Sequence, residues 1–200
     1  IALFNRFSEE RLNIQDAISK TDEKDGLFFI LKMYQEYRNI LIEGEMFDKC
    51  DLSLLQDKAL SVVEDYSLAS KIFKYIIVDE YQDTNSIQEQ LYFSLAGNKN
   101  ICFVGDDDQA LYRFRGSTVE NFVEFPKRVK KNLNINTTKI ALSINYRSKK
   151  QIVNFYTNFI EKEDWTKNGN PQDQFRVYDK GINAFSQDND TAVISVESYE

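Results

Sequence analysis

The chain has no histidine at all, which excludes imidazole-based acid–base catalysis and any zinc site that depends on histidine. Its two cysteines, Cys50 and Cys102, lie far apart, and Cys102 sits inside an apolar run, so the expectation is a buried free thiol and not a disulfide or a metal ligand. No apolar stretch approaches the roughly 20 residues that span a bilayer, and no signal peptide is visible, so a soluble, cytoplasmic protein is expected. Basic charge is in deficit: 25 Lys and Arg stand against 32 Asp and Glu, for a net charge of −7. This argues against a surface that binds nucleic acid by bulk electrostatics alone, and any such binding needs a local patch. The 7 glycines include no G-x-x-x-x-G-K-[ST] loop able to cradle a triphosphate.

What remains is a globular composition, 42% hydrophobic and 14% aromatic over 200 residues, enough for one sizeable core or two modest ones. The first seventy residues read as helical. One helix is expected around Ser8–Lys20, and a stronger one around Leu27–Glu43, where Phe28, Leu31, Tyr34, Tyr37, Arg38 and Leu41 recur at helical spacing before Gly44. A third is expected over Leu52–Asp65. The chain begins at Ile1, not Met, and is expected to be an internal piece of something longer.

From Lys74 the grammar changes to short apolar runs alternating with helices. KYIIVDE reads as a buried strand, Asn85-x-x-Gln88 as a capping box opening a helix that Gly97 closes, and NICFVGD as a second buried strand. This is βαβ patterning, hence an α/β fold with a parallel sheet. Ser117-x-x-Glu120 is expected to open a helix that ends near Pro126. KIALS at 139–143 reads as a third strand, leading through Ser148-x-x-Gln151 into an amphipathic helix carrying Ile152, Phe155, Tyr156 and Phe159. A domain boundary is placed within 127–138, residues 163–190 read as a long polar loop or partly ordered insertion, and TAVISVES as a further strand.

Ligands of parallel α/β sheets gather at the carboxyl ends of the strands. Asp79-Glu80, Gly105-Asp106 and Asn145-Tyr146-Arg147 each follow a strand directly. A strand-terminal Asp can hold Mg²⁺ while the following Glu polarises an attacking water, chemistry that suits nucleoside-triphosphate hydrolysis without histidine. The same acids, with Asp83, could equally be loop charges and helix caps. In VGDDDQALYRFRGS, Gln109 can sense a phosphate or water, and Tyr112, Arg113, Phe114 and Arg115 interleave aromatics with arginines as single-strand binders do, although either aromatic could instead pack in a core.

VDEYQDTN, VGDDDQALYRFRGS and LSINYRS, in this order, closely resemble motifs II, III and IV of superfamily 1 helicases of the UvrD/Rep/PcrA type, a resemblance covering about Asp51 to Phe159. It implies a RecA-like parallel sheet with flanking helices: 1–50 as the helical part of an inserted subdomain, 51–136 as the later part of the first lobe, and 137–200 as the start of the second. It implies that ATP binds in the cleft between lobes, that Asp79 coordinates Mg²⁺, that Glu80 is the general base, and that Gln109 contacts the γ-phosphate and couples nucleotide state to DNA. Tyr112 and Phe114 take the place of the family's single-strand stacking residues, Phe114 standing where Trp is more usual, and Arg115 that of an arginine tying this segment to carboxylates and DNA. Tyr146 matches the adenine-stacking residue and Arg147 an arginine reaching the γ-phosphate.

The resemblance implies an ATP-dependent DNA helicase, moving 3′ to 5′ on single-stranded or junction DNA. Its phosphate loop and later motifs do not occur in this chain, so the piece alone is expected to be inactive. Two rivals stand beside this: a non-catalytic helicase-like adaptor that binds DNA or protein, and a metal-dependent nuclease using Asp79, Glu80 and Asp83.

Overall fold

The computed structural model describes residues 2–42, 50–66, 69–110, 122–167, 169–177 and 180–188. The chain divides into two compact units, Ile1–Ile135 and Asn136–Glu200.

Unit one opens with α1 (Ala2–Glu9), α2 (Ile14–Ser19), α3 (Gly26–Ile42) and α4 (Leu52–Asp65). The single helix expected around Ser8–Lys20 is in fact broken. Arg11 turns through a left-handed conformation, φ 50°, and Asn13 restarts the helix by accepting the Asp16 N–H. The break delivers the Arg11 guanidinium to Asp57 and Glu64 on α4. Helix α3 follows the expected stripe: Leu31 and Tyr34 are buried, and Phe28, Tyr37, Arg38 and Leu41 are half-buried. Tyr34 packs against Phe4 and Phe7, its hydroxyl 2.8 Å from Ser8 Oγ. Helix α4 starts where Asp51 accepts the Leu54 N–H. The stop expected at Gly44 lies outside the described residues.

Strands β1 (Ile76–Val78) and β2 (Ile101–Phe103) pair in parallel, Ile76 with Ile101 through Val78 with Phe103. They are joined by α5 (Ser86–Leu95), whose Asn85–Gln88 capping box is fully formed. Gly97 follows α5 for close packing, since a Cβ there would lie 2.5 Å from Ser70 Cβ and O. The left-handed residue of that turn is Lys99.

One face of the β-pair packs Ile76, Ile101 and Phe103 onto a core of Phe93, Ala96, Val129 and Leu133. The opposite face carries Ile77, 75% exposed, with Cys102 in register beside it. Cys102 is therefore exposed, contrary to expectation. Period-two alternation sends it away from the core that its apolar neighbours enter.

A helical stretch at 122–123 ends in a turn at Glu124, near Pro126 as expected, and α6 (Phe125–Leu133) begins directly after it. Pro126 sits in its first turn, where a missing N–H costs no hydrogen bond. The Ser117-x-x-Glu120 signal lies outside the described residues.

Unit two contains β3 (Ile144–Asn145), α7 (Lys150–Glu161), a hairpin of β4 (Thr166–Lys167) and β5 (Asn170–Gln174), and β6 (Asn183–Ala184), which pairs in parallel with β3. The strand expected at 139–143 is not formed. Ladder bonds begin only at Ser143, whose carbonyl accepts the Asn183 N–H, and Ile140 and Leu142 stay exposed. Helix α7 has no side-chain cap, so the Ser148–Gln151 box is absent, and its buried residue is Val153, while Ile152, Phe155 and Phe159 are exposed.

The stretch 163–190, expected as a long loop or partly ordered insertion, holds the β4–β5 hairpin and β6. Gly169, at φ 73°, lies between β4 and β5 in a left-handed backbone that glycine adopts without strain. TAVISVES lies outside the described residues. Among the described residues no helix is long and apolar enough to cross a membrane.

Candidate functional site

The parallel register carries both strands of unit one to the same edge, and backbone bonds continue past the strands themselves. Val104 N–H donates to Val78 O at 2.8 Å and Tyr81 N–H to Val104 O at 2.9 Å. Residues 79–82 are thereby laid alongside 104–106.

Asp79 and Glu80 are both exposed there. Asp79 Oδ1 accepts the Glu80 N–H at 2.9 Å. Glu80 adopts a left-handed backbone, φ 49° and ψ 42°, which a non-glycine residue holds only where its surroundings impose it. A turn of 3₁₀-helix, Tyr81–Asp83, follows and buries Tyr81 and Gln82.

Gln82 is 3% exposed and uses both ends of its amide. Its Nε2 donates to Glu80 Oε2 at 2.6 Å and its Oε1 accepts the Asp106 N–H at 3.0 Å. Gly105 makes room for this, since a Cβ there would sit 2.5 Å from Gln82 Oε1 and 3.2 Å from Tyr81 N. Asp106 in turn accepts Gln109 Nε2 on Oδ2 at 2.9 Å, and Gln109 is itself exposed. The structure thus gathers Asp79, Glu80 and Gln109 at one strand edge.

Asp79 offers a hard oxygen donor at the solvent, the kind of single carboxylate with which Mg²⁺ is commonly held while keeping waters and phosphate oxygens. The residues present fit such an ion. Asp83 differs from its neighbours, because its Oδ1 is buried. The three carboxylates close enough to share an ion, among the described residues, are Asp106, Asp107 and Asp108, and not the Asp79, Glu80 and Asp83 set that a nuclease reading needs.

Behind the edge, the Tyr81 hydroxyl donates to the Glu89 carboxylate, which Arg128 grips through Nε at 2.7 and 2.9 Å and also through Nη2. The Tyr81 ring meets Phe103 and Phe125 edge-on. Burial, then the bond to Glu89, pushes the Tyr81 hydroxyl well above the usual tyrosine range. Burial also raises Tyr34, and with the Asp51 bond it pushes Tyr37 up to about 12.

The sign follows from linkage. Below pH of about 10 these hydroxyls are protonated in folded and unfolded chains alike, so their contribution is fully present. Above it the unfolded chain loses protons that the fold retains, and stability falls as pH rises. Thermal melts from pH 8 to 11 are expected to decline beyond 10, and less steeply in Tyr81→Phe. An unchanged slope in that variant would refute the assignment of Tyr81.

In unit two, Asn145 Oδ1 accepts the N–H groups of Arg147 at 3.0 Å and Ser148 at 2.8 Å, an Asx turn after β3. It presents Tyr146, 72% exposed, and Arg147, also exposed. Tyr146 packs against Phe185, the rings tilted by 36° with centroids 4.9 Å apart. Tyr112, Phe114 and Arg115 lie outside the described residues. Sequence reasoning missed Gln82, whose only signal was an amide set among carboxylates, and Phe185, which lies in a segment read as loop.

The acid pair thus stands at the carboxyl end of a parallel strand, the edge at which parallel α/β sheets take their ligands. The UvrD/REP helicase N-terminal domain matches residues 1–130, and the chain belongs to that family. Among similar proteins is the ATP-dependent DNA helicase PcrA of Bacillus subtilis strain 168, 36% identical over 155 residues, 75% of this chain and 20% of that protein. The protein of the same name from Staphylococcus aureus strain Mu50 is 37% identical over 153 residues, 70% of this chain and 20% of that protein. The chain thus spans about a fifth of the length of the curated relatives it matches.

Proposed function

We propose that the chain is part of an ATP-dependent DNA helicase, a cytoplasmic motor that moves 3′ to 5′ on single-stranded DNA. In this reading residues 51–136 and 137–200 belong to two RecA-like lobes, and 1–50 to an inserted helical subdomain. The observation that carries it is the exposed Asp79–Glu80 pair at the carboxyl end of β1, beside Gln109 from the adjacent strand end. Asp79 would hold Mg²⁺, which supplies charge neutralisation at the phosphates when bound. Glu80 accepts the proton of the attacking water, and Gln109 contacts the γ-phosphate. From unit two, Tyr146 stacks on adenine and Arg147 pairs with phosphate, the task a planar guanidinium suits.

The test is ATP hydrolysis by the full-length protein with and without single-stranded DNA. A rate that rises with DNA is expected. Absence of hydrolysis in folded protein would favour the helicase-like adaptor. The 200-residue chain alone, lacking a lysine-bearing phosphate loop, is expected to turn over no ATP.

Tyr112, Phe114 and Arg115 supply the DNA contacts in this reading. Phe114→Ala in the full-length protein is expected to weaken single-strand binding by about 1–3 kcal/mol, the usual value of one base–aromatic stack. Fluorescence anisotropy with an oligonucleotide measures it, and unchanged affinity would remove Phe114 from the DNA site.

A further inference from the structure

We infer that Gln82 is a positioning residue that fixes the Glu80 carboxylate and ties it to Gln109, an inference resting on the hydrolysis reading above. Glutamate has three rotatable side-chain bonds, and an exposed one samples many rotamers. Glu80 is exposed yet anchored, because the buried Gln82 amide holds Oε2 at 2.6 Å. One oxygen is thereby occupied and the orientation of the other is set.

The amide's own orientation is decided by chemistry. The carboxylate needs a donor and the Asp106 N–H needs an acceptor, so the reverse amide would face donor to donor and acceptor to acceptor. Gln82 is locked in place by burial and by the close approach of Gly105. The bonds then run without a break from Glu80 through Gln82 and Asp106 to Gln109. A shift of Gln109 on meeting phosphate is carried to the base through one side-chain amide and the Asp106 segment.

The experiment is steady-state ATP hydrolysis by the full-length protein in Gln82→Glu and Gln82→Ala, each alone and combined with Glu80→Gln, with thermal melts confirming folding. Gln82→Glu keeps an acceptor for Asp106 N–H and, when ionised, sets a like charge against Glu80 in place of the donor, and the melts read separately what that buried charge does to the fold. The expected result is a fall in kcat of about 10- to 100-fold, the scale of a misplaced catalytic group, with KM for ATP little changed. Combined with Glu80→Gln, neither substitution should lower kcat further.

Wild-type kcat in either folded variant would overturn the inference, as would a full additional loss in the Glu80→Gln background. Gln82→Ala buries no new charge and decides the matter should Gln82→Glu not fold. If Glu80→Gln alone left turnover intact, the failure would be that of Glu80 as base, a result separable from any effect at Gln82.

Discussion

Glu80→Gln in the full-length protein is expected to lower ATP turnover by about 10²- to 10⁴-fold, the usual contribution of a general base, with nucleotide affinity nearly unchanged. The substitution is isosteric, and its amide oxygen can still accept the bond that Gln82 Nε2 now gives to Oε2. Position is therefore kept while the ability to take a proton is lost. Because the Asp79 Oδ1 accepts the backbone N–H of Glu80, its placement does not depend on the Glu80 side chain. Single-turnover hydrolysis and binding of a fluorescent nucleotide measure the two halves separately. A rate within tenfold of wild type would exclude Glu80 as the base.

The second large effect is on stability. Arg128→Met is expected to cost about 3–5 kcal/mol, because Glu89 is left as an uncompensated buried charge. Glu89 is 2% exposed, and the Tyr81 hydroxyl also donates to its carboxylate. Arg128→Lys should recover little, since an ammonium cannot reproduce the paired guanidinium contacts. Glu89→Leu combined with Arg128→Met should be far less harmful than Arg128→Met alone, as both charges then leave together. Thermal unfolding reads all three. A melting point for Arg128→Met within a few degrees of wild type would show that the carboxylate is solvated or protonated, and would refute the argument.

That ion pair was not legible in the sequence, and the reason is general to this chain. Local signals could be read: the stripe from Phe28 to Leu41 and the Asn85–Gln88 box are set by residues three or four apart. Where the outcome depended on a distant partner, reading failed. The strand expected at 139–143 begins at Ile144 because its ladder is set by Asn183. Cys102 looked buried because strand length alone does not say which face a core covers. Pro126 follows the end of one helical stretch, as expected, and also sits in the first turn of the next, a helix the sequence pattern had not signalled.

The candidate site divides in the same way. The acid pair and its neighbouring strand end could be placed on one edge from βα patterning, and the register of β1 with β2 realises that arrangement. Gln82 could not be singled out, since its role rests on a backbone N–H that lies 24 residues away in sequence.

The outward face of the β-pair has a practical consequence. Cys102 is an accessible thiol on β2, one residue before Phe103 and four before the aspartate that bonds both Gln82 and Gln109. In a Cys50→Ser background, a fluorophore attached there would sit on the strand leading to the acid edge without entering the core. Its emission would report whether that face is wet or covered, and whether the cover changes when nucleotide binds.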